Sequence, residues 1–152
     1  QNLLIKRIEH KKNILIWVLL SVVSAVSAWI IVSGKMAYME REFADYGAAK
    51  AAGELEKGWL PSFLPSSATT IKVINNTDQK SSLASFKFEG SVDLNSCKEA
   101  PLTEAVLPAE RVVLWWPDEL TAKGGALPGT FYKCGDGQAF VNAEKKEVYF
   151  WK

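Results

Sequence analysis

The sequence predicts an α+β protein: one N-terminal transmembrane helix, a helical stalk, then a small antiparallel β-sheet domain with one or two short helices. Three observations carry this reading. Ile14 to Val32 runs nineteen residues without a charge. Met36 to Lys57 is rich in Ala, Glu, Lys and Arg, all strong helix formers. Beyond Pro65, apolar residues alternate with polar ones over short runs separated by turn residues, the two-residue period of strands. At 152 residues the chain has room for one ordinary domain besides a membrane segment.

Residues 1–12 form a basic tail, with Lys6, Arg7, Lys11 and Lys12 against Glu9 for a net charge of +3. Residues 13–34 are the expected anchor. A helix of that apolar length spans roughly 28 Å, close to the hydrocarbon thickness of a bilayer. Trp17 and Trp29 stand near its ends, where indoles favour the interface. A buried core helix is the alternative, but a core helix is rarely apolar on every face for five turns. A cleaved signal peptide is another, with Val26-Ser27-Ala28 as the cleavage site. The run continues past that point through Trp29 to Val32, longer than a signal core, so an uncleaved signal anchor is expected. The basic flank puts the N-terminus in the cytoplasm and everything after Gly34 outside. Ser21, Ala25 and Ala28 are spaced i, i+4, i+7, and Ser24 pairs with Ala28 in the same way. Such a stripe predicts close approach of a second helix, a route to a homo-oligomer; the alternative is that small residues are simply tolerated in lipid.

Residues 35–58 are expected to continue as a juxtamembrane helical stalk. Met36, Met39, Phe43 and Tyr46 share a stripe at i, i+3, i+7, i+10. Gly58 ends it, and Pro61 and Pro65 prevent further helix. The domain proper is expected at 59–152. It opens on Trp59 to Pro65, an apolar linker that reads as a strap on the domain or as an exposed recognition segment. Ile71 and Val73 lead into the turn cluster Asn75 to Asp78, and Leu83 to Glu89 is a second strand. Asn95 to Ala100 reads as a short helix, and Val112 to Trp116 as a third strand or a buried turn. Thr130 to Cys134 is a strand ended by Gly135-Asp136-Gly137. Ala139 to Asn142 and Glu147 to Lys152 frame a polar turn, which makes a terminal hairpin. The short connections favour antiparallel pairing over βαβ units.

The formal net charge of +1 argues against a nucleic-acid partner, and 48% hydrophobic against 23% charged residues argues against disorder. Cys97 and Cys134 both lie on the outer side of the membrane, where an even pair predicts a disulfide. A reactive or metal-binding pair is the alternative, without the C-x-x-C spacing that would support it. The only His is His10, in the tail. The outer domain therefore lacks a Ser-His-Asp or Cys-His arrangement and a His-based zinc site. Asp118-Glu119 are adjacent, and neighbours rarely face one site. No catalytic residue, no metal and no cofactor is predicted, and the protein is expected not to be an enzyme. Asn75-Asn76-Thr77 has the form of a glycosylation sequon.

Aromatic residues are the richest feature of the outer domain. In pairs such as Trp115-Trp116, strand alternation should send one ring inward and one outward. Trp59, Phe63, Trp115, Trp116 and Trp151 are the candidate binding surface, since outward Trp commonly anchors a protein partner or a glycan. The stretch Trp59-Leu-Pro-x-x-Leu-Pro-x-Ser-Ala68, then Phe86-x-Phe88, Trp115-Trp116-Pro117 and the final Val148-Tyr149-Phe150-Trp151 resembles small envelope proteins of Gram-negative bacteria that carry a membrane helix or lipid anchor and a small exported domain. The resemblance implies an inner-membrane protein with its C-terminal domain in the periplasm, and implies no activity. The expected function is that of a single-pass interaction module, either an accessory subunit of an envelope complex or an immunity protein against a periplasm-delivered toxin. Its expected partners are membrane lipid and another envelope protein. The alternative is a lipid- or glycan-binding sensor or carrier using surface aromatics.

Overall fold

The computed structural model describes residues 16–29, 38–108, 113–122 and 124–152. The chain divides into two compact units, Gln1–Tyr38 and Met39–Lys152. In the first, residues 16–29 are helical (α1), and every one of them is exposed. Among the described residues no helix is long and apolar enough to cross a membrane. The expected anchor, 13–34, extends past the described residues at both ends, and the basic tail with His10 lies outside them.

The second unit is a seven-stranded antiparallel sheet in the order β1-β2-β3-β7-β6-β5-β4. Among the described residues of this unit the strands are β1 (Tyr38–Asp45), β2 (Thr69–Asn76), β3 (Ser81–Lys87), β4 (Cys97–Ala100), β5 (Thr130–Cys134), β6 (Gly137–Asn142) and β7 (Glu147–Trp151), with one short α-helix, α2 (Tyr46–Ala51), and two 3₁₀ turns, Leu102–Glu104 and Asp118–Leu120. The antiparallel β domain is as the alternation predicted.

Two of its hairpins are built on one plan. Asn76 Oδ1 accepts from the backbone N–H groups of Asp78 and Gln79, and Asn142 Oδ1 accepts from that of Lys145. Each four-residue turn then closes on a lysine with positive φ, Lys80 at 52° and Lys146 at 53°. An asparagine that satisfies its own turn is why chain reversal occurs at these points. The terminal hairpin pairs Asn142 with Glu147 and Phe140 with Tyr149.

Within the helical stalk expected over 35–58, residues 38–51 form a strand and a short helix instead. Residues 38–45 lie as edge strand β1 beside β2. There the alternation places Phe43 against the core and Glu42 beside Lys72 of β2, 3.7 Å away. Sheet pairing outweighs the helix propensity of Met-Glu-Arg-Glu, which is worth only tenths of a kcal/mol per residue. Asp45 then caps α2, accepting from Ala48 N at 2.8 Å. Gly53, at φ 72°, stops it: Gly53 N donates to Lys50 O and Glu54 N to Ala49 O, a glycine-terminated helix end. The expected helix at Asn95 to Ala100 is also a strand, β4, because Cys97 is held opposite Cys134 of β5. The segment Val113 to Trp116 is a turn, but not the buried one expected: Trp116 is buried while Leu114 is 89% exposed.

Both faces of the sheet are covered. On one, Ile71, Val73, Ala84, Phe86, Ala139, Val148 and Phe150 pack beneath Ala49 of α2 and the strap residues Leu60, Phe63 and Leu64. On the other, Phe131, Phe140 and Trp151 pack beneath Trp116 and Leu120, with Leu102, Ala105, Leu107 and Leu127 around them. The packing leaves no room at two glycines. A Cβ on Gly137 would lie 2.6 Å from Trp151 O, and one on Gly129 would lie 2.5 Å from Phe140 Cε1.

A buried ion cluster ties β1 to the turn after α2. The Glu54 side chain is 1% exposed and receives Arg41 Nη2 at 3.1 Å and Lys57 Nζ at 2.9 Å. Arg41 Nη2 also donates to Asn75 Oδ1 on β2. Asn75 is buried in this cluster, so the glycosylation sequon does not present its acceptor amide in the folded domain. Glu54→Ala would leave Arg41 and Lys57 without the carboxylate they share. Breaking a fully buried pair costs about 3–5 kcal/mol. Because the Arg41 and Lys57 side chains are 23% and 50% exposed, the expected loss is smaller, about 2 kcal/mol. Urea unfolding of the protein followed by near-ultraviolet circular dichroism measures it; an unchanged midpoint would show that the cluster contributes nothing.

Candidate functional site

Cys97 and Cys134 face each other in the β4–β5 register with their sulfurs 2.09 Å apart, a disulfide closing a separation of 37 residues. The pair staples β4, one of the two sheet edges, to the body of the sheet. Beside it, Lys133 Nζ reaches Glu104 Oε2 at 2.6 Å and holds that exposed carboxyl below the usual carboxylate range, through its hydrogen bond first and its charge second.

The five aromatic candidates do not form one surface. Phe63, Trp116 and Trp151 are buried and belong to the two cores, so they are not available to a partner. Phe63 meets Phe150 edge-on at 6.0 Å beneath the strap. Trp116 meets Tyr149 and Trp151 edge-on at 5.6 Å and 5.8 Å, and its indole N–H donates to Leu120 O. Trp59 and Trp115 are half-buried, on opposite faces of the sheet. Lys152 Nζ stands 5.5 Å over the Trp59 ring, a cation–π contact. Trp115 Nε1 donates to Glu40 Oε1 of β1 at 2.7 Å. Next to Trp116, Tyr149 has its hydroxyl pushed far above the usual phenol range, by burial first and then by Glu147 and Glu119.

Sequence reasoning missed the residues that are most exposed. Among the described residues of the domain, Leu114 at 89% and Val106 at 76% are the large aliphatic side chains left most open to solvent. Their neighbours Val113, Ala105 and Leu107 pack inward on the second core. Val106 is nonetheless fixed: its N–H donates to Gln138 Oε1 at 2.8 Å, and its carbonyl accepts from Trp151 Nε1 at 2.7 Å. No local pattern distinguishes these two from core aliphatics, because the cover over the second face is irregular chain.

A groove of about 700 Å³ opens on the other side, between the strap and the loop before β4. Ser62, Ser66, Ser91, Ser96, Asp93 and Asn95 supply its polar rim, and Phe63 to Pro65 supply its apolar part. Asp136, in the β5–β6 turn, accepts from Ser62 N at 2.8 Å and ties the strap down at this point. Such a groove offers hydroxyls, one amide and one carboxylate, a set that suits neutral polar ligands. Among the described residues, no group of three or more His, Cys, Asp or Glu is placed to hold a metal ion.

A family model described as the YbbD head domain matches residues 38–87. The match runs from the first residue of β1 to the last of β3 and so takes in α2, the strap and the Glu54 cluster. It fits a small envelope-type protein of Gram-negative bacteria. No curated protein and no solved structure matches the chain.

In α1, the predicted small-residue stripe of Ser21, Ser24, Ala25 and Ala28 is exposed. Each serine hydroxyl turns back onto its own helix: Ser21 Oγ donates to Val18 O, Ser24 Oγ to Leu20 O and Ser27 Oγ to Val23 O, at 2.8–2.9 Å. The helix surface is thereby left without an unpaired hydroxyl donor.

Proposed function

We propose that the chain is an inner-membrane protein with a cytoplasmic N-terminus and a periplasmic domain that acts by binding, not by catalysis. The observation that carries this reading is α1. It is apolar on all sides and exposed on all sides, and its serines satisfy their hydroxyls internally, as a helix in lipid requires. A disulfide-stapled sheet following it suits an oxidising compartment. Another envelope protein is the expected partner, in a membrane complex or as a toxin to be neutralised. Trp115 is the aromatic residue best placed to meet it.

Two measurements test the reading. Alkaline phosphatase fused after Lys152 should be active and stay with the membranes after alkaline washing; a soluble periplasmic product would sink the anchor. Affinity purification in mild detergent should recover a discrete envelope protein, and Trp115→Ala should weaken its capture by about 2 kcal/mol, the size of an anchor residue. Capture unchanged in that variant would remove Trp115 from the interface. The groove beside the strap favours a second reading, a glycan carrier or sensor, in which purification yields no protein partner and a sugar protects Ser62 to Ser66 from hydrogen exchange.

A further inference from the structure

We infer that the groove beside the strap is a site for uncharged saccharides: Asp93 turns acidic ligands away, and Asn95 with the serines of the rim bonds sugar hydroxyls. This rests on the glycan reading given above and adds to it the class of sugar and the residues that choose it. The groove has the size of an ordinary ligand site, about 700 Å³. Both of its walls are held in place. Asp136 pins the strap at one end, accepting from Ser62 N at 2.8 Å. Ser67 pins its exit, where the hydroxyl donates to Glu89 O at 2.9 Å and accepts from Glu89 N at 3.3 Å. In the facing loop, Asp93 Oδ1 accepts from Asn95 N at 3.0 Å and Cys97 N donates to Leu94 O at 2.8 Å, just before the disulfide. Walls fixed before the ligand arrives lose little conformational entropy on binding.

Charge, hydrogen bonding and backbone together choose the ligand. Among the described residues lining the groove there is no Lys or Arg, and Asp93 stands on the rim. A phosphate, a phospholipid headgroup or an acidic peptide would meet a carboxylate and no counter-charge. The hydroxyls of Ser62, Ser66 and Ser91 and the Asn95 amide bond no other protein group among the described residues. Each of them both donates and accepts, as a sugar hydroxyl does. An extended peptide would instead need a row of open N–H and C=O groups, as at a sheet edge. The strap offers no such row. Pro61 and Pro65 carry no N–H, Ser62 N goes to Asp136, Leu64 N to Pro61 O and Ala68 N to Pro65 O. Phe63 to Pro65 supply the apolar part on which the C–H face of a sugar ring packs. The strap belongs to the first core and Trp115 to the second, so a protein held at Trp115 does not take this site.

The test titrates the full chain with neutral tetrasaccharides of glucose and of N-acetylglucosamine, and with trigalacturonate as the acidic counterpart, while hydrogen exchange reports where each binds. A neutral sugar should slow exchange at 62–66 and 91–96 and bind about tenfold or more tighter than trigalacturonate. Asp93→Asn keeps the oxygen that accepts from Asn95 N and removes the charge. It should bind trigalacturonate several-fold better and leave the neutral sugar nearly unchanged. Ser66 and Asn95 are both exposed, so Ser66→Ala with Asn95→Ala should keep the urea midpoint and weaken the neutral sugar about tenfold or more, the effect of two hydrogen bonds. Unchanged affinity in that double variant would overturn the assigned contacts. Trigalacturonate held in the groove as tightly as the neutral sugar would overturn the selection and leave the glycan reading standing. Protection elsewhere on the domain, or none by any of these sugars at millimolar concentration, would overturn both.

Discussion

Replacing Trp116 with alanine is expected to destabilise the domain by about 3–5 kcal/mol, the range for emptying a fully buried aromatic site. Trp116 is the largest side chain that the fold buries completely, and three aromatic rings meet it edge-on: Trp115, Tyr149 and Trp151. Its N–H is also the donor to Leu120 O, so the variant leaves that carbonyl without its indole partner. A domain of this size has about 5–15 kcal/mol in total, so the change takes a large share of it. The loss should be local at first. Residues 101–108 and 113–122, which cover the second face, should exchange amide hydrogens much faster, while β2 and β3 keep protection until global unfolding. Trp116→Phe keeps a ring in the site and gives up the hydrogen bond, and should recover roughly half of the stability. Uniform acceleration of exchange across both faces would show that the cover and the sheet unfold as one unit.

Reducing the Cys97–Cys134 bridge is expected to destabilise the domain by up to about 4 kcal/mol, from the chain-entropy estimate for a loop of 37 residues. For a domain of this length that lowers the melting temperature by roughly 15 °C. The paired variant Cys97→Ala, Cys134→Ala should melt where the reduced protein does, and adding reductant should not lower it further. The release should be felt first at β4, a four-residue edge strand that pairs only with β5. A reduced protein that melts with the oxidised one would mean that β4 is held by its backbone pairing alone.

Several elements were legible because their signals are local. Thr130 to Cys134 and the hairpin around Ala143 to Lys146 follow from alternation, from glycine and from an asparagine that bonds its own turn. The disulfide followed from two cysteines beyond an apolar run. Other elements were not legible. Nothing in Tyr38 to Asp45 marks it as a strand until β2 lies beside it, and Asn95 to Ala100 read as helical because the disulfide that holds β4 extended is a long-range restraint. The candidate surface suffered most. Alternation correctly sent Phe150 to one face and Trp151 to the other, but both faces are covered, so the outward ring is buried as well.

From the sequence alone came most of the antiparallel strands, the apolar N-terminal run, the cysteine pair and the lack of histidine in the β domain. Each is a property of composition or of spacing over a few residues. The tertiary structure decided that β1 joins the sheet and that Glu54 is buried between Arg41 and Lys57. It also decided that, of the two prominent tryptophans at 115 and 116, one is core and one half-exposed, and that Leu114 and Val106 point outward. Those outcomes depend on which residues far apart in the chain compete for the same covered area. Burial is settled by that competition, and a short stretch of sequence does not contain its other side.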